Sequence, residues 1–224
     1  MSRNFEFSVG EYYHIYNRGT EKRNIFNSDY DRNRFLGLLY LCNNTESVHI
    51  SNYQGSTLID WLRLSRLKTI VDIGAYCLMP NHFHLLLREK SESGVGLFMQ
   101  KISTAYTMYF NKKNDRTGSL FAGRYKAKHA DRDEYLKYLI SYIHLNPVKM
   151  INSKWKESGV QDIRKAKSFL EQYTFSSYFE FTKTKNRPES VIIDKQSLPE
   201  YFLIKNSFDE TLKEWLTYKD IFSI

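Results

Sequence analysis

The sequence predicts an α+β fold: a ferredoxin-like split β-α-β antiparallel sheet, with two helices on one face and a tyrosine-bearing helix on the other. Three observations carry this. Two β-type runs, about 70–78 and 82–88, are separated only by Met79-Pro80-Asn81, which makes them neighbouring antiparallel strands. Residues 94–111 place Val95, Phe98, Met99, Ile102, Tyr106 and Tyr109 at helical spacing. With the flanking segments, the order of elements reads β-α-β-β-α-β and then a further helix.

The first strand is 10–17, Gly-Glu-Tyr-Tyr-His-Ile-Tyr-Asn, rich in β-formers and ending at Arg18-Gly19. Ser28 opens Ser-Asp-Tyr-Asp, followed by Phe35, Leu36, Leu38, Leu39 and Cys42, the pattern of a capped helix. A weaker helical segment spans Leu58 to Leu67. After the long helix, 111–118 is a polar, basic loop, and a short strand follows around 123–129. Asp131-Arg132-Asp133-Glu134 has capping-box spacing, and the helix it opens should stop near Asn146, because Pro147 disfavours continuation. Residues 151–224 show no repeat. Trp155, Phe169, Tyr173 and Trp215 are the expected anchors of this tail, with a break near Asn186-Arg187-Pro188.

The chain has 224 residues, 42% of them hydrophobic and 16% aromatic, enough for one good core and a small appendage. No apolar stretch approaches the roughly 20 residues needed to cross a bilayer, and residues 1–20 lack a signal-peptide core, so the expectation is a cytoplasmic protein. Cys42 and Cys77 specify neither a disulfide scaffold nor a zinc knuckle, and are expected to be reduced core thiols. Residues 1–150 carry 21 basic and 14 acidic side chains, a net +7, whereas 151–224 carry only +1. Residues 101–130 alone carry +6, a local excess that suits a polyanion such as nucleic acid and equally a merely soluble basic surface.

The most informative motif is Met79-Pro80-Asn81-His82-Phe83-His84. Alternation along a strand puts His82 and His84 on one face, close enough to share a divalent ion. The helix from Asp131 carries Tyr142 and Asn146 four residues apart, hence on one face. Were that helix to cross the sheet, His82, His84 and the Asn146 oxygen could hold Mg²⁺ or Mn²⁺, with the Tyr142 phenol one turn away. A metal-polarised phosphate could then be attacked by the phenol to give a phosphotyrosyl intermediate. Bland alternatives stand beside each assignment. A His-x-His can be a paired polar patch, a tyrosine a packing residue, and an asparagine before proline a helix end. Tyr135 and Tyr138 compete with Tyr142 as nucleophile. His14 sits in the first strand, His144 is expected to pack or face solvent, and His49 and His129 carry no pattern.

These stretches, with Tyr13-His14-Ile15-Tyr16-Asn17-Arg18-Gly19 and Tyr142-Ile143-His144-Leu145-Asn146-Pro147-Val148-Lys149, resemble the IS200-like single-tyrosine (HUH) transposases. The branch associated with repetitive extragenic palindromes looks most similar. The likeness spans roughly residues 8–150. It implies that His82 and His84 bind the metal, that Asn146 is the third ligand and that Tyr142 is the nucleophile. It implies a ferredoxin-like fold and single-stranded DNA carrying a hairpin as substrate, cut to leave a 5′-phosphotyrosine and a free 3′-OH. It leaves open whether the enzyme works as a monomer or a homodimer. No organic cofactor or membrane partner is expected. The domain expectation is an endonuclease unit over 1–150 and a C-terminal extension over 151–224.

Asn17, Arg18, Lys22 and Arg23 form one basic group and Lys112, Lys113, Arg116, Arg124, Lys126 and Lys128 a second, all candidates for phosphate contacts. Tyr12, Tyr13, Phe121 and Tyr125 are candidates for stacking on exposed bases. Two further readings differ in chemistry: a non-catalytic hairpin-binding protein of the same fold, and a metal phosphodiesterase that uses water.

Overall fold

A computed structural model describes residues 6–202, apart from 47, 49–54, 161 and 184. His49 and Trp215 lie outside the described residues. Strands β1 (Tyr12–Arg18), β2 (Val71–Met79), β3 (His82–Glu89) and β4 (Lys126–His129) form one antiparallel sheet in the order β2-β3-β1-β4. Helices α1 (Asp29–Leu41) and α3 (Gly94–Lys113) pack on one face, and α4 (Asp133–Leu145) crosses the other. This is the split β-α-β arrangement the sequence predicts. Among the described residues no helix is long and apolar enough to cross a membrane.

Alternation along the strands builds two cores. Tyr13, Ile15, Phe83, Leu85, Leu87, Ile73 and Leu78 point towards Phe35, Leu38, Phe98, Ile102 and Tyr106 of α1 and α3. The opposite phase sends Ala75, Cys77, Met79 and Leu86 against Leu136, Leu139, Ile140 and Ile143 of α4. A one-residue shift in any strand would exchange these sets, so burial on both faces fixes the register.

α1 starts with the expected reciprocal cap. Ser28 Oγ accepts from the Asp31 amide at 3.3 Å, and Asp31 Oδ2 accepts from the Ser28 amide at 3.1 Å. α4 does not start as the spacing predicts. Its N-cap is Arg132, without a side-chain cap, because pairing with β1 extends to the Ala130 amide, which donates to the Tyr12 carbonyl, and the helix begins only at Asp133. Asp133 and Glu134 then place negative charge on the first turn, where the helix dipole favours it. The segment expected around Leu58–Leu67 is helical only as α2 (Leu58–Leu62). α4 ends at Leu145, and Asn146–Met150 continues as a 3-10 turn.

After α4 the chain forms α5 (Trp155–Ser158), α6 (Ile163–Gln172) and α7 (Tyr178–Thr182), with buried Trp155 joining the α4 core. The tail also closes one edge of the sheet. Leu78 donates its amide to Phe175 and Ser177 to Tyr76, while the Tyr173 phenol donates to the Leu78 carbonyl. Arg187, legible in the sequence only as part of a break, staples this segment. It donates to Glu180, to the Thr174 and Ser176 carbonyls and to the Tyr76 phenol. The opposite edge is β4, four residues long and carrying Lys126 and Lys128, features that discourage edge-to-edge pairing.

Candidate functional site

The turn between β2 and β3 is held by the turn that follows β1, which draws two sequence motifs together. The Gly19 amide donates to the Asn81 carbonyl, and the Ile25 and Phe26 amides both donate to the Pro80 carbonyl. Gly19 has no room for a side chain: a Cβ there would lie 2.3 Å from the Arg23 carbonyl oxygen. Asn81 links the two turns. Its Nδ2 donates to the Lys22 carbonyl at 3.1 Å, so its Oδ1 is left to accept from His82 Nδ1 at 2.6 Å. The proton of the neutral His82 ring is therefore on Nδ1, and Nε2 carries the lone pair.

Antiparallel register places Arg18 opposite His82, Tyr16 opposite His84 and His14 opposite Leu86 on one face. β4 sets Lys126 beside Tyr16 and Lys128 beside His14 on that same face. His84 is buried, and its Nδ1 lies 2.9 Å from Nε2 of His14, also buried. The His82 and His84 rings meet edge to face at 5.0 Å, and the His14 and His84 rings lie 5.0 Å apart at 25°.

α4 lays Tyr142 over this face. Its ring meets His84 edge-on at 5.4 Å and His14 at 5.8 Å. Burial raises the pKa of the phenol above its ordinary value, opposed by a side-chain hydrogen bond from Asn146. Asn146, itself buried, also donates Nδ2 to the Tyr142 carbonyl at 2.8 Å, so its Oδ1 is not engaged in that bond. Tyr138 continues the row, 5.7 Å from Tyr142, and stacks on Tyr135 at 5.7 Å. Tyr135 in turn lies under the Lys128 ammonium at 4.5 Å. The structure thus brings His82, His84, Tyr142 and Asn146 to one side of the sheet.

His14 joins this group from β1. Its two-residue phase with Tyr16 and Arg18 is visible in the sequence, but the register that sets it against His84 is not. His144 faces neither solvent nor this site. It is wholly buried on the other flank of α4, 2.8 Å from Ser177 Oγ, and burial pushes its pKa down to about 3. Cys77, opposite His84, is a core thiol whose pKa burial drives up, as burial drives that of Cys42 up to about 11.

The basic residues divide. Arg18, Lys126 and Lys128 lie on the site face. Asn17 points to the other face, where Nδ2 donates to the Gly123 carbonyl and Oδ1 accepts from the Arg18 amide, bracing the 119–125 loop. Arg23 bonds within its own turn, to the Thr20 carbonyl and Glu21, and Lys22 is exposed beside it. Lys113 is paired with the fully buried Asp31 at 2.6 Å, Arg116 donates to Asn111, and Lys112 is exposed at the end of α3. Arg124 is exposed, its guanidinium 5.7 Å from the Tyr125 ring. Of the aromatic residues expected to stack on bases, Tyr13, Phe121 and Tyr125 are instead core residues, because the alternation of β1 and the closing turn carry them inward. Tyr12 is half-buried, and its phenol donates to the Ser197 carbonyl.

Among the described residues no group of three His, Cys, Asp or Glu side chains is placed to hold a metal. The available donors are two imidazole nitrogens and one amide oxygen. They suit a divalent ion that takes mixed nitrogen and oxygen ligands and fills its remaining positions with water and phosphate oxygens. Each of the three has its other polar atom occupied, by Asn81, His14 and the Tyr142 carbonyl. Such outer hydrogen bonds hold metal ligands in orientation.

Residues 8–146 match the family model described as "Transposase IS200 like". A solved REP-associated tyrosine transposase, bound to a REP hairpin, is structurally similar, with a TM-score of 0.50 over 81% of this chain and 84% of that chain. At 13% identity that likeness shows a shared fold. No curated protein sequence matches the chain. The family match takes in all four strands and α4 together with Asn146, well over half of the chain, and the protein belongs to the IS200-like transposases, HUH-type enzymes that use a single tyrosine.

Proposed function

We propose that this protein is a divalent-metal-dependent endonuclease and strand transferase acting on single-stranded DNA next to a hairpin. The observation that carries this reading is the contact of the Tyr142 ring with His84, on the face that also holds His82 and Asn146. His82 and His84 through Nε2, and Asn146 through Oδ1, would hold Mg²⁺ or Mn²⁺. The ion when bound would polarise the scissile phosphate and stabilise charge in the transition state.

The remaining chemistry belongs to the chain. Tyr142 Oη attacks phosphorus and gives up its proton, the bond from phosphorus to the 3′ oxygen breaks, and that oxygen takes up a proton. The products are a 5′-phosphotyrosine and a free 3′-OH. A phenol is protonated at neutral pH and burial raises its pKa further, so proton removal must accompany attack. Storing the phosphoester bond on the enzyme allows a second strand end to be joined without ATP.

Arg18, Lys126 and Lys128 border this face and would track the phosphate backbone. The hairpin bound by the structurally similar REP-associated transposase supports hairpin-bearing DNA as the substrate class. This reading assigns the chemistry to residues 1–150. Of the C-terminal extension, the described residues between 151 and 202 take a supporting role, closing the β2 edge and packing behind α4.

The test is incubation of labelled single-stranded hairpins of varied flank with the protein and Mg²⁺ or Mn²⁺. A covalent protein–DNA product together with a fragment ending in 3′-OH is expected. Hydrolysis with turnover and no protein-bound DNA would contradict the proposal and favour attack by water.

A further inference from the structure

His14 touches both halves of the site, contacting His84 from β1 and Tyr142 from α4. We infer that His14 is a positioning residue for metal binding: its Nε2 accepts the proton on His84 Nδ1 and so presents the lone pair of His84 Nε2 to the ion. The inference rests on the proposed ligand role of His84.

The two other candidate ligands are oriented by groups whose roles are fixed. The Asn81 oxygen can only accept, and the Tyr142 backbone carbonyl can only accept. The partner of His84 is different, because a neutral imidazole nitrogen either donates or accepts. The 2.9 Å contact carries one proton, which leaves two arrangements. If His14 donated, the proton of neutral His84 would sit on Nε2, and that ring could not bind a metal through Nε2. If His84 donates, both motif histidines present Nε2 and the donor set is complete.

The surroundings hold the His14 ring in place. Tyr16 stacks on it at 4.9 Å, and Tyr142 meets it edge-on. His14 is 6% and His84 5% exposed, so water does not readily replace the bond between them.

The test is Mn²⁺ binding to the full chain, followed by the spectroscopic signal of free Mn²⁺, for the parent protein, His14→Phe and His14→Gln. Phenylalanine keeps a ring in the stack but cannot accept, whereas the glutamine oxygen reaches about as far as imidazole Nε2. Loss of an outer hydrogen bond of this kind costs about 10–100-fold in metal affinity. His14→Phe is expected to weaken binding within that range, and His14→Gln to stay near the parent.

Equal affinity in the parent and His14→Phe would overturn the role of His14 while leaving the ligand assignment standing. Equal weakening in both variants would also overturn it, since the acceptor would then not be what matters. A parent protein that binds no Mn²⁺, with or without hairpin DNA, would remove the ligand assignment itself and the inference with it. Nitrogen-15 imidazole shifts of the unsubstituted protein give a check free of folding effects. His84 is expected as the Nδ1–H tautomer, and the Nε2–H tautomer would refute the proposal.

Discussion

Asn146 donates its side-chain amide to the backbone carbonyl of Tyr142, one turn earlier, on the helix whose Tyr142 ring covers the imidazole of His84. The nucleophile candidate and the third ligand candidate are thereby set by one hydrogen bond within one helix end. The candidate donor set has two imidazoles, one amide and no carboxylate.

A site without negative charge holds a divalent cation weakly until an anionic oxygen joins it. Phosphate of the bound strand supplies that charge, so metal and DNA should bind cooperatively. In Tyr142→Phe, which by the proposed role of Tyr142 should not turn over, hairpin DNA is expected to raise Mn²⁺ affinity on the order of 5–150-fold, the usual range for coupled sites. The metal should raise DNA affinity by the same factor. His84→Ala should remove the coupling, and equal Mn²⁺ affinity with and without DNA would contradict this account.

The two groups of lysines should behave differently although their local charge is alike. Lys126→Gln with Lys128→Gln removes charge from the site face and should flatten the salt dependence of DNA binding, by about 0.7 per lost phosphate contact on a single strand. Lys113→Gln should leave that slope unchanged. It should instead lower stability by about 1–3 kcal/mol, because it strips a charged partner from buried Asp31. Salt titrations and denaturant melts of the same variants separate the two effects.

Asp31 also gives a pH dependence of stability. Burial alone would raise its pKa, but hydrogen bonds from Lys113, Tyr109 and the Asn27 amide outweigh this and hold it below the ordinary carboxylate value. A depressed folded pKa contributes stability that is present above the unfolded value of about 3.9, and that is lost as pH falls through the folded value. Asp31→Asn should therefore be less stable at pH 6, by roughly 1.5–3 kcal/mol, because a neutral amide with one accepting oxygen replaces a charged acceptor of several bonds. The gap to the parent should narrow below about pH 4. A difference independent of pH would show that the carboxylate charge contributes nothing.

The sheet, both covering helices and the helix over the opposite face were legible in the sequence because each carries its own periodicity. The phase of His82 and His84 followed from strand alternation alone. What could not be read was register. Whether His14, Tyr16 or Arg18 stands beside His84 depends on the offset between strands about seventy residues apart, and no local pattern encodes it. How the basic residues divide between surroundings is equally invisible in the sequence. Lys113 and Lys126 are near in sequence, but one faces Asp31 across the helices and the other lies beside Tyr16 on the sheet. The start of α4 was misplaced because β-pairing of Ala130 overrode a local capping signal.

Mapping the covalent adduct tests the central claim most directly. After reaction with a short hairpin substrate and Mg²⁺, trypsin separates Tyr135, in the peptide 133–137, from Tyr138 and Tyr142, both in 138–149. Fragmentation of the second peptide then tells its two tyrosines apart. The account predicts the nucleotide mass on Tyr142 and no adduct in Tyr142→Phe. A modified Tyr135 or Tyr138, or an undiminished adduct in Tyr142→Phe, would contradict it.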